Sequence, residues 1–503
     1  MSVTQQMLDG LFIAVSPENL MYCALGVSLG TIVGVIPGIG SLATISLLLP
    51  ITFYLDPTTA LIMMAGIFYG ANYGGSTTSI LLNLPGTPTN AVTCLDGYPM
   101  SRQGRAGVAL LMTTVASFLG GSFGILMLML FSPAIVKVAI AFGPAEYFSL
   151  MILGLIAASV IARGSPVKGI AAVAIGIVLG LVGQDVGTGL LRFTFGFIDL
   201  SDGLSIVALA MGLFGMCEIV DSIKTAGNHG AVPKVSLRAI WPTRSDWRRS
   251  WSPIFRGFGY GSFFGTLPGT GGMIAAFMSY ATEKKLSKHP EEFGQGAIEG
   301  IAGPESANSA GDLTAFIPTL TLGIPGNVTM ALMLSVLFMN GINPGPTLIT
   351  SSPDIFWGVV MSFWIGNLML LLLNIPMIGL WVRLLTIPYQ YLYPAVIMFL
   401  CIGVYAVSNS FFDLWLLILC GVAGYIMRIT DIPAGPLLLG FVLGPMLEEN
   451  FRRAMQFSRG SLGIFVESGI SIACLLIAAI LICLGLFSAL RDARHERRER
   501  RAA

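Results

Sequence analysis

Apolar residues form long runs along this chain, and the polar positions inside those runs fall into short blocks. Uncharged runs cover 19–55, 57–95, 106–136, 355–382, 384–412 and 468–490. Each run is long enough for a membrane-spanning helix, which needs about 20 mainly apolar residues. Shorter spans are predicted near 146–162, 169–184, 203–221 and 433–449. The pattern therefore predicts an all-α polytopic membrane protein.

Residues 31–90 are as apolar as a membrane span, yet glycine, proline and small polar residues interrupt them repeatedly. Proline lacks a backbone donor and glycine is conformationally loose, so Pro37-Gly38 and Pro85-Gly86 are expected to break regular helix. In lipid, an unpaired backbone group is tolerated only where it is buried in protein or lines a watery cavity. The interruptions therefore predict a binding site.

The same interruptions recur in the second half of the chain, in the same order. Residues 34–40 (GVIPGIG), 71–75 (ANYGG) and 82–89 (LNLPGTPT) resemble 265–271 (GTLPGTG), 307–311 (ANSAG) and 322–329 (LGIPGNVT). The offsets are 231, 236 and 240 residues. Interrupted apolar segments at matching positions in two halves are typical of secondary transporters. Close packing of helices through small residues is the alternative explanation.

These matches predict two inverted repeats with broken or re-entrant helices at the matched Pro-Gly motifs. Repeat one is expected at 1–221, with a broken-helix block at 20–100 and scaffold helices at 106–221. A basic cytoplasmic linker at 222–252 precedes repeat two at 253–449, with its broken-helix block at 254–345 and scaffold helices at 355–449. Residues 450–503 are predicted to form a final span and a basic cytoplasmic tail.

Basic residues predict the orientation, because cytoplasmic loops carry an excess of lysine and arginine. The loop near Arg102, the linker and the tail after Arg491 are basic and are expected in the cytoplasm. The acidic loop at 185–202 and the loop at 340–354, which has no basic residue, are expected outside. Three arginines then lie outside, against the rule: Arg452, Arg453 and Arg459. Either 433–447 is re-entrant or these arginines have a separate role.

Composition and motifs argue against an enzyme. Hydrophobic residues make up 54% of the chain and charged residues 11%, with a mean hydropathy of +0.81. The chain contains no GxxxxGK[ST] motif, so ATP hydrolysis by a P-loop is not expected. Its three histidines fall in polar loops and its seven cysteines stand singly, which argues against a transition-metal site. We expect no cofactor other than a coupling ion, and no nucleic-acid partner.

The PGxG, LPGTPTNAV and GIPGN blocks resemble the large membrane subunit of the tripartite tricarboxylate transporters, and the resemblance covers nearly the whole chain. It implies secondary active uptake of tricarboxylate or related carboxylate anions across the cell inner membrane, driven by a sodium or proton gradient. It also implies two partners, a periplasmic substrate-binding protein and a small membrane subunit. The alternative is an ion or solute channel whose filter is built from broken helices.

Candidate site residues come from the paired blocks, because a helix that starts after a break aims free N–H groups at an anion. Those predicted to bind substrate are Asn72, Pro85, Gly86, Thr87, Thr89, Asn90, Asn308, Pro325, Gly326, Asn327 and Thr329. Those predicted to bind a coupling ion, with sodium the one metal ion expected, are Ser76, Thr77, Thr78, Asn83 and Asp312. The predicted structural breaks are Pro37, Gly38, Pro268 and Gly269.

Two further expectations concern individual side chains. Asn72 and Asn308 are predicted to occupy equivalent places in the two repeats and to face one cavity. Glu305 is a weaker candidate than Asp312 for an intramembrane acid with a function. For the polar side chains in general, hydrogen bonding between helices is the alternative role.

Overall fold

The computed structural model describes residues 2–36, 41–52, 54–140, 142–161, 165–185, 187–217, 219–220, 240–267, 271–384 and 389–502. These residues are almost entirely helical. Among them, four helices are long and apolar enough to cross a membrane: Pro17–Val35, Ala91–Ala139, Pro353–Met377 and Phe411–Ile429. The predicted class, an all-α polytopic membrane protein, is confirmed.

The first half of the chain contains nine α-helices within the described residues. They are α1 (Val3–Ala14), α2 (Pro17–Val35), α3 (Ser41–Thr52), α4 (Pro57–Leu82), α5 (Ala91–Met100), α6 (Ala106–Ala139), α7 (Pro144–Ile161), α8 (Pro166–Gly180) and α9 (Ile206–Ala210). A π-helical turn, Ser101–Arg105, joins α5 to α6, and another, Met211–Met216, extends α9. A two-residue antiparallel hairpin, β1 (Gly183–Gln184) and β2 (Leu191–Arg192), lies in the loop after α8.

The second half begins with the helices that carry the repeated blocks. They are α10 (Arg244–Gly265), α11 (Gly271–Leu286), α12 (Glu299–Thr314), α13 (Phe316–Leu322) and α14 (Val328–Met339). The remaining helices are α15 (Pro346–Ser351), α16 (Pro353–Leu384), α17 (Tyr389–Ser408), α18 (Phe411–Ile429), α19 (Ala434–Phe457) and α20 (Gly469–Ala502).

Helices run through two of the predicted boundaries, 252/253 and 449/450. The predicted linker at 222–252 ends in helix, since Thr243 and Asp246 form a capping box that starts α10 at Arg244. The predicted division at 449/450 lies inside α19, which is continuous from Ala434 to Phe457. Helix α20 begins at Gly469 and continues through the basic tail to Ala502. Residues 221–239 of the linker lie outside the described part of the chain.

Glycines let α2 pack closely on α4. A Cβ atom added at Gly26, Gly30 or Gly34 would lie 2.3 Å from a backbone oxygen of α4. That separation is shorter than any carbon–oxygen contact, so a larger residue would force the two helices apart. Small residues at a helix interface allow such a close approach within membranes.

The same packing recurs between α10 and α12. The contacting glycines of α10 lie 231 residues after those of α2. A Cβ atom at Gly257 or Gly261 would lie 2.3 Å from a backbone oxygen of α12, and one at Gly265 would lie 2.4 Å away. The two helix pairs therefore carry the first and second repeated blocks in matching surroundings.

Helices α8 and α19 meet through reciprocal glycine contacts. Gly176 of α8 packs on the carbonyl of Leu437, while Gly440 of α19 packs on the carbonyl of Val173. In both contacts a glycine packs on the carbonyl of the residue three positions before the glycine of the other helix. A pair related by a two-fold axis has this property, since the same patch is used on both sides.

Ion pairs join the loop after α8 to the end of α19 and account for one of the three anomalous arginines. Arg452 contacts Asp185 at 3.0 Å and Glu448 at 2.6 Å, and Arg192 contacts the same Glu448 at 2.9 Å. The backbone N–H of Gly187, with the Thr188 hydroxyl and Arg452, lowers the pKa of Asp185 to about 2. Arg452 therefore has a structural role, because it holds this loop against the end of α19.

A second set of charged contacts joins α10 to the segment 283–299. Arg256 pairs with Glu283 at 2.5 Å, and Arg249 pairs with Glu299 at 2.6 Å. Glu283 is buried near the end of α11. These pairs fix the start of α12, the helix that carries the candidate acids.

Candidate functional site

Helix α4 forms the first wall of the site. Asp56 caps its start by accepting the N–H of Thr58 at 2.9 Å, and Pro57 occupies the first turn, where its missing N–H costs nothing. Its described side chains are buried from Thr58 to Leu81. A helix that is apolar all round and still carries Asn72 and Ser76 must pair those groups inside the protein.

Helix α12 forms the opposite wall and presents three polar groups. Glu305, Asn308 and Asp312 are spaced three and four residues apart, so they lie along one face of the helix. Their side chains are 2%, 3% and 4% exposed. The site therefore contains two fully buried carboxyl groups.

The two walls meet through a direct contact between the repeated blocks. Asn72 Nδ2 donates to Asp312 Oδ2 at 2.5 Å, across 240 residues of sequence. This contact combines a predicted substrate-binding residue with a predicted ion-binding residue. Asn308, the predicted partner of Asn72, instead lies one turn from Asp312 against Gly272 of α11.

Glu305 accepts hydrogen bonds from three hydroxyl groups that come from three different helices. Ser76 of α4 lies 2.9 Å from Oε1 and 3.0 Å from Oε2, and Ser117 of α6 lies 3.1 Å from Oε2. Thr93 of α5 also donates to Oε1. Hydroxyl donors on both oxygens stabilise an ionised carboxylate. Glu305 is therefore a hub that ties four helices together.

The first Pro-Gly loop belongs to this hub. Asn90 Nδ2 donates to Ser76 Oγ at 2.6 Å, and the Thr87 hydroxyl donates to Asn90 Oδ1. Thr89 and Thr87 share a hydrogen bond of 2.7 Å. The loop after Pro85-Gly86 is thus connected through Ser76 to Glu305. Gly86 packs on Gly75, where an added Cβ would lie 2.3 Å from the Gly75 Cα.

The second Pro-Gly loop serves its own helix instead. Asn327 Oδ1 accepts the N–H of Met330 at 2.9 Å, which caps the start of α14. The Gly326 N–H donates to Thr319 Oγ1 at 3.2 Å. Pro325 and Thr329 are buried beside this turn. The helix break predicted at Pro325-Gly326 is present, as is the one at Pro85-Gly86.

Three predicted ion ligands lie apart from the two carboxyl groups. Thr77 donates to its own helix at the Tyr73 carbonyl, and Thr78 donates to the Val35 carbonyl of α2 at 2.8 Å. Asn83 is exposed and ends α4 in the left-handed conformation, with φ of 59°. The predicted breaks at Pro37, Gly38, Pro268 and Gly269 lie outside the described residues.

The glycine contacts give a register between the two blocks that differs from the sequence match. Gly34 packs on Ala71 and Gly265 packs on Gly311, so Asn72 corresponds to Asp312, at an offset of 240 residues. The sequence pattern instead matches Asn72 with Asn308, four residues earlier, which is about one helical turn. In the structure, the equivalent residues are the two that touch.

Sequence reasoning missed Thr93 and Ser117 and undervalued Glu305. A signal was present for Thr93 and Ser117, because each is a polar residue inside an uncharged apolar run, 57–95 or 106–136. Their meeting is a tertiary fact: Ser117 and Glu305 are 188 residues apart in the chain. Spacing along one helix cannot indicate such a contact.

Within the described part of the chain, the site contains two buried acids without a basic partner. Among the described residues, neither Glu305 nor Asp312 has an ion-pair partner. Burying a polar group without hydrogen bonds costs about 2–7 kcal/mol. Burying an ion without a partner costs more. The arrangement is therefore suited to taking up a positive charge together with an anionic solute.

The fold is that of a polytopic helical membrane protein whose interrupted helices meet at buried polar groups. A family model described as "Tripartite tricarboxylate transporter TctA family" matches residues 20–439. The chain belongs to this family, which confirms the predicted one. Membership places it among transporters of tricarboxylates and points away from an enzyme.

Two curated proteins from Agrobacterium vitis are similar to this chain. The "Uncharacterized 52.8 kDa protein in TAR-I ttuC' 3'region" is 48% identical over 485 residues, 96% of each chain. The "Uncharacterized protein in TAR-II ttuC' 3'region" is 51% identical over 236 residues, which are 47% of this chain and 98% of that protein. No solved structure matches.

Proposed function

We propose that this chain is the permease subunit that carries tricarboxylate or related carboxylate anions across the cell inner membrane, driven by a sodium or proton gradient. The observation that carries the proposal is the contact of Asn72 with Asp312 inside the protein, beside the Glu305 hub. The contact joins the two repeated blocks, and in transporters with interrupted helices the solute site is built where such segments meet.

The charge of the site supports coupling to a cation. A carboxylate anion that approaches Asp312 and Glu305 meets two buried acids and no paired base. At about 4 Å and an effective dielectric constant near 20, two like charges repel by about 4 kcal/mol. A proton or sodium ion bound beside the acids removes that repulsion. Anion and cation would therefore enter together, as symport requires.

The first Pro-Gly loop supports a place for the anion. Thr87, Thr89 and Asn90 precede the start of α5, where the first backbone N–H groups of the helix lack partners within it. The loop is linked through Ser76 to Glu305. We propose that this loop contacts the carboxylate while α4 and α12 hold the cation.

Family membership supports two partners, a periplasmic substrate-binding protein that delivers the anion and a small membrane subunit.

We further propose that the chain forms two inverted repeats, with its C-terminus in the cytoplasm. The reciprocal contacts of α8 with α19 and the repeated glycine packing support the two-fold relation. Single cysteines at positions 103 and 240 should then react with an impermeant label from the cytoplasm, and one at 347 from outside. Labelling of 103 and 347 from one side would contradict inversion.

Reconstituted uptake tests the function. The full-length chain, with its small subunit and binding protein, is placed in liposomes, and labelled citrate is supplied with an imposed sodium or proton gradient. We expect uptake that follows the gradient and ignores ATP. Uptake that follows only the citrate gradient would indicate a channel instead. In that case, removal of the cation gradient would leave uptake unchanged. Other carboxylates in the same assay would define the substrate.

A further inference from the structure

Helix α10 carries a row of aromatic side chains along one face. The row consists of Trp247, Trp251, Phe255 and Phe258, which are spaced four, four and three residues apart. Residues at these spacings are neighbours on a helix surface, and consecutive ring centroids in the row are 6.2, 6.1 and 5.3 Å apart. Trp251 is 45% exposed and Phe255 is 58% exposed. The middle of the aromatic row is therefore open to the surroundings of the protein.

Two arginines extend this face to the start of the helix. Arg244 and Arg248 are one turn apart, and Arg248 lies three residues before Trp251. Both are exposed, and neither forms an ion pair with any residue that the structure describes. The other two arginines of α10 differ, because Arg249 and Arg256 both pair with glutamates. The aromatic face thus ends in two positive charges that the described chain does not pair.

The stability of α10 does not explain these two arginines. Arg244 is the first residue of the helix, where a positive charge opposes the helix dipole. The capping box of Thr243 and Asp246 already starts the helix. Asp246 also pairs with Arg105 at 2.7 Å, which fixes the start of α10 beside the start of α6. The charges of Arg244 and Arg248 are therefore held in place and directed at a partner outside the chain.

The dimensions of this face match those of one phospholipid. At 1.5 Å per residue, the helix from Arg248 to Phe258 is about 15 Å long, and half of the hydrocarbon core of a bilayer is also about 15 Å thick. The chain contains no charged residue from 257 to 282, so the face leads from a charged end into an apolar segment. Trp251 lies between these two regions, and tryptophan is enriched at the boundary of water and lipid.

We propose that Arg244 and Arg248 bind the phosphate of an anionic phospholipid, whose acyl chains lie along the aromatic row. Guanidinium groups bind phosphate oxygens through paired hydrogen bonds. A headgroup with a net negative charge complements the two arginines better than a zwitterionic one, which brings its own cation. A phospholipid also supplies a charged end and an apolar body in the order that this face presents them. The site does not depend on which solute the protein transports.

Thermal unfolding with defined lipids tests this site. The purified full-length protein is heated in neutral detergent at fixed total lipid and ionic strength, while phosphatidylglycerol replaces phosphatidylcholine. A ligand that binds the folded state raises the melting temperature with its concentration, and we expect phosphatidylglycerol to do so. Arg244→Gln and Arg248→Gln should each need about fivefold more phosphatidylglycerol for half of the rise, because one basic residue near an anionic surface has about that effect.

A matched pair of substitutions on another helix controls for net charge. Lys284 and Lys285 of α11 are exposed and form no ion pair with the residues that the structure describes. Replacing both lysines by glutamine removes the same charge as replacing both arginines by glutamine. The arginine pair should shift the phosphatidylglycerol titration by at least about tenfold, and the lysine pair by less than about twofold.

Three results would overturn the site. Equal shifts in the arginine and lysine pairs would indicate a general attraction of the protein to negative lipid. Equal stabilisation by inorganic phosphate would mean that the aromatic row contributes nothing. If phosphatidylglycerol has no effect and the arginine pair abolishes binding of the small membrane subunit, the face is a protein interface. Carboxylate uptake is measured separately, so failure of the proposed function would leave the lipid titration and its interpretation unchanged.

Discussion

The two Pro-Gly loops have the same backbone and different side-chain chemistry. The helix before each loop ends in the left-handed conformation, at Asn83 with φ of 59° and at Gly323 with φ of 70°. Each loop then folds back on its own block, with Gly86 against Gly75 and Gly326 against Ala315. All of these pairs are related by the offset that separates Asn72 from Asp312.

Their side chains, however, face different surroundings. Through Asn90 and Ser76, the first loop joins the Glu305 hub. At the position that corresponds to Ser76, the second block has Phe316, which packs on the ring of Phe363 with centroids 4.6 Å apart. The backbone of the repeat is thus retained on both sides while polar chemistry is concentrated on one. This asymmetry agrees with our proposal that the first loop contacts the solute, while the second loop caps and packs its own helix.

Among the substitutions that test this difference, Glu305→Gln should have the largest effect on carboxylate uptake. The substitution removes the charge of the hub and places an amide donor against three hydroxyl donors. We expect carboxylate uptake per folded molecule to fall by about 100-fold, equivalent to about 2.7 kcal/mol. The measurement is uptake in proteoliposomes, normalised to folded protein.

Glu299→Gln provides the control on the same helix, since Glu299 pairs with Arg249 at the start of α12 and does not contact the hub. It should change uptake by less than a few-fold. If Glu305→Gln instead lowers the melting temperature and keeps normal uptake per folded molecule, the hub is structural and the two loops differ in packing alone.

The helix breaks were predictable from the sequence because their cause is local. A Pro-Gly pair disfavours the continuation of a helix, and both blocks contain Pro-Gly directly before a new helix. The family was also predictable, since the paired blocks are long. The class of protein was predictable from the apolar runs, because the thickness of the bilayer sets the length of a membrane-spanning helix.

The contents of the site were less predictable because they depend on register and on distant contacts. Asn72 and Asn308 align when the two blocks are compared by residue type. The glycine contacts of α2 with α4 and of α10 with α12 give an alignment that differs by one helical turn. Ser117 lies in a helix that the pattern describes only as a scaffold. The start of α10 was missed because its basic residues resemble a loop, although Thr243 and Asp246 form a capping box.

Alanine at the two turn glycines should affect stability unequally. At Gly86, the new Cβ would lie 2.3 Å from the backbone Cα of Gly75, and at Gly326 it would lie 2.9 Å from the Ala315 Cβ. Overpacking of this kind costs about 1–3 kcal/mol, and we expect Gly86→Ala near the top of that range and Gly326→Ala near the bottom. Melting temperatures of the purified variants measure the difference.

The control for this pair is Gly259→Ala in α10, where an added Cβ meets no atom within 4 Å. In that exposed helix interior, alanine should be neutral or stabilising by up to about 1 kcal/mol. Equal losses at Gly86 and Gly326, or a larger loss at Gly326, would mean that the second loop is packed as tightly as the first.

The smallest effects should separate the roles of the two loops most cleanly. Asn327→Ala removes the cap of α14, which should cost about 1 kcal/mol of stability and leave uptake per folded molecule unchanged. Thr87→Ala removes a hydroxyl that bonds Asn90, whose amide reaches Ser76. It should lower uptake several-fold with less loss of stability, because no helix end depends on it. Melting temperature and normalised uptake are measured for both variants. The reverse result, with lost uptake in Asn327→Ala and lost stability in Thr87→Ala, would place the solute at the second loop.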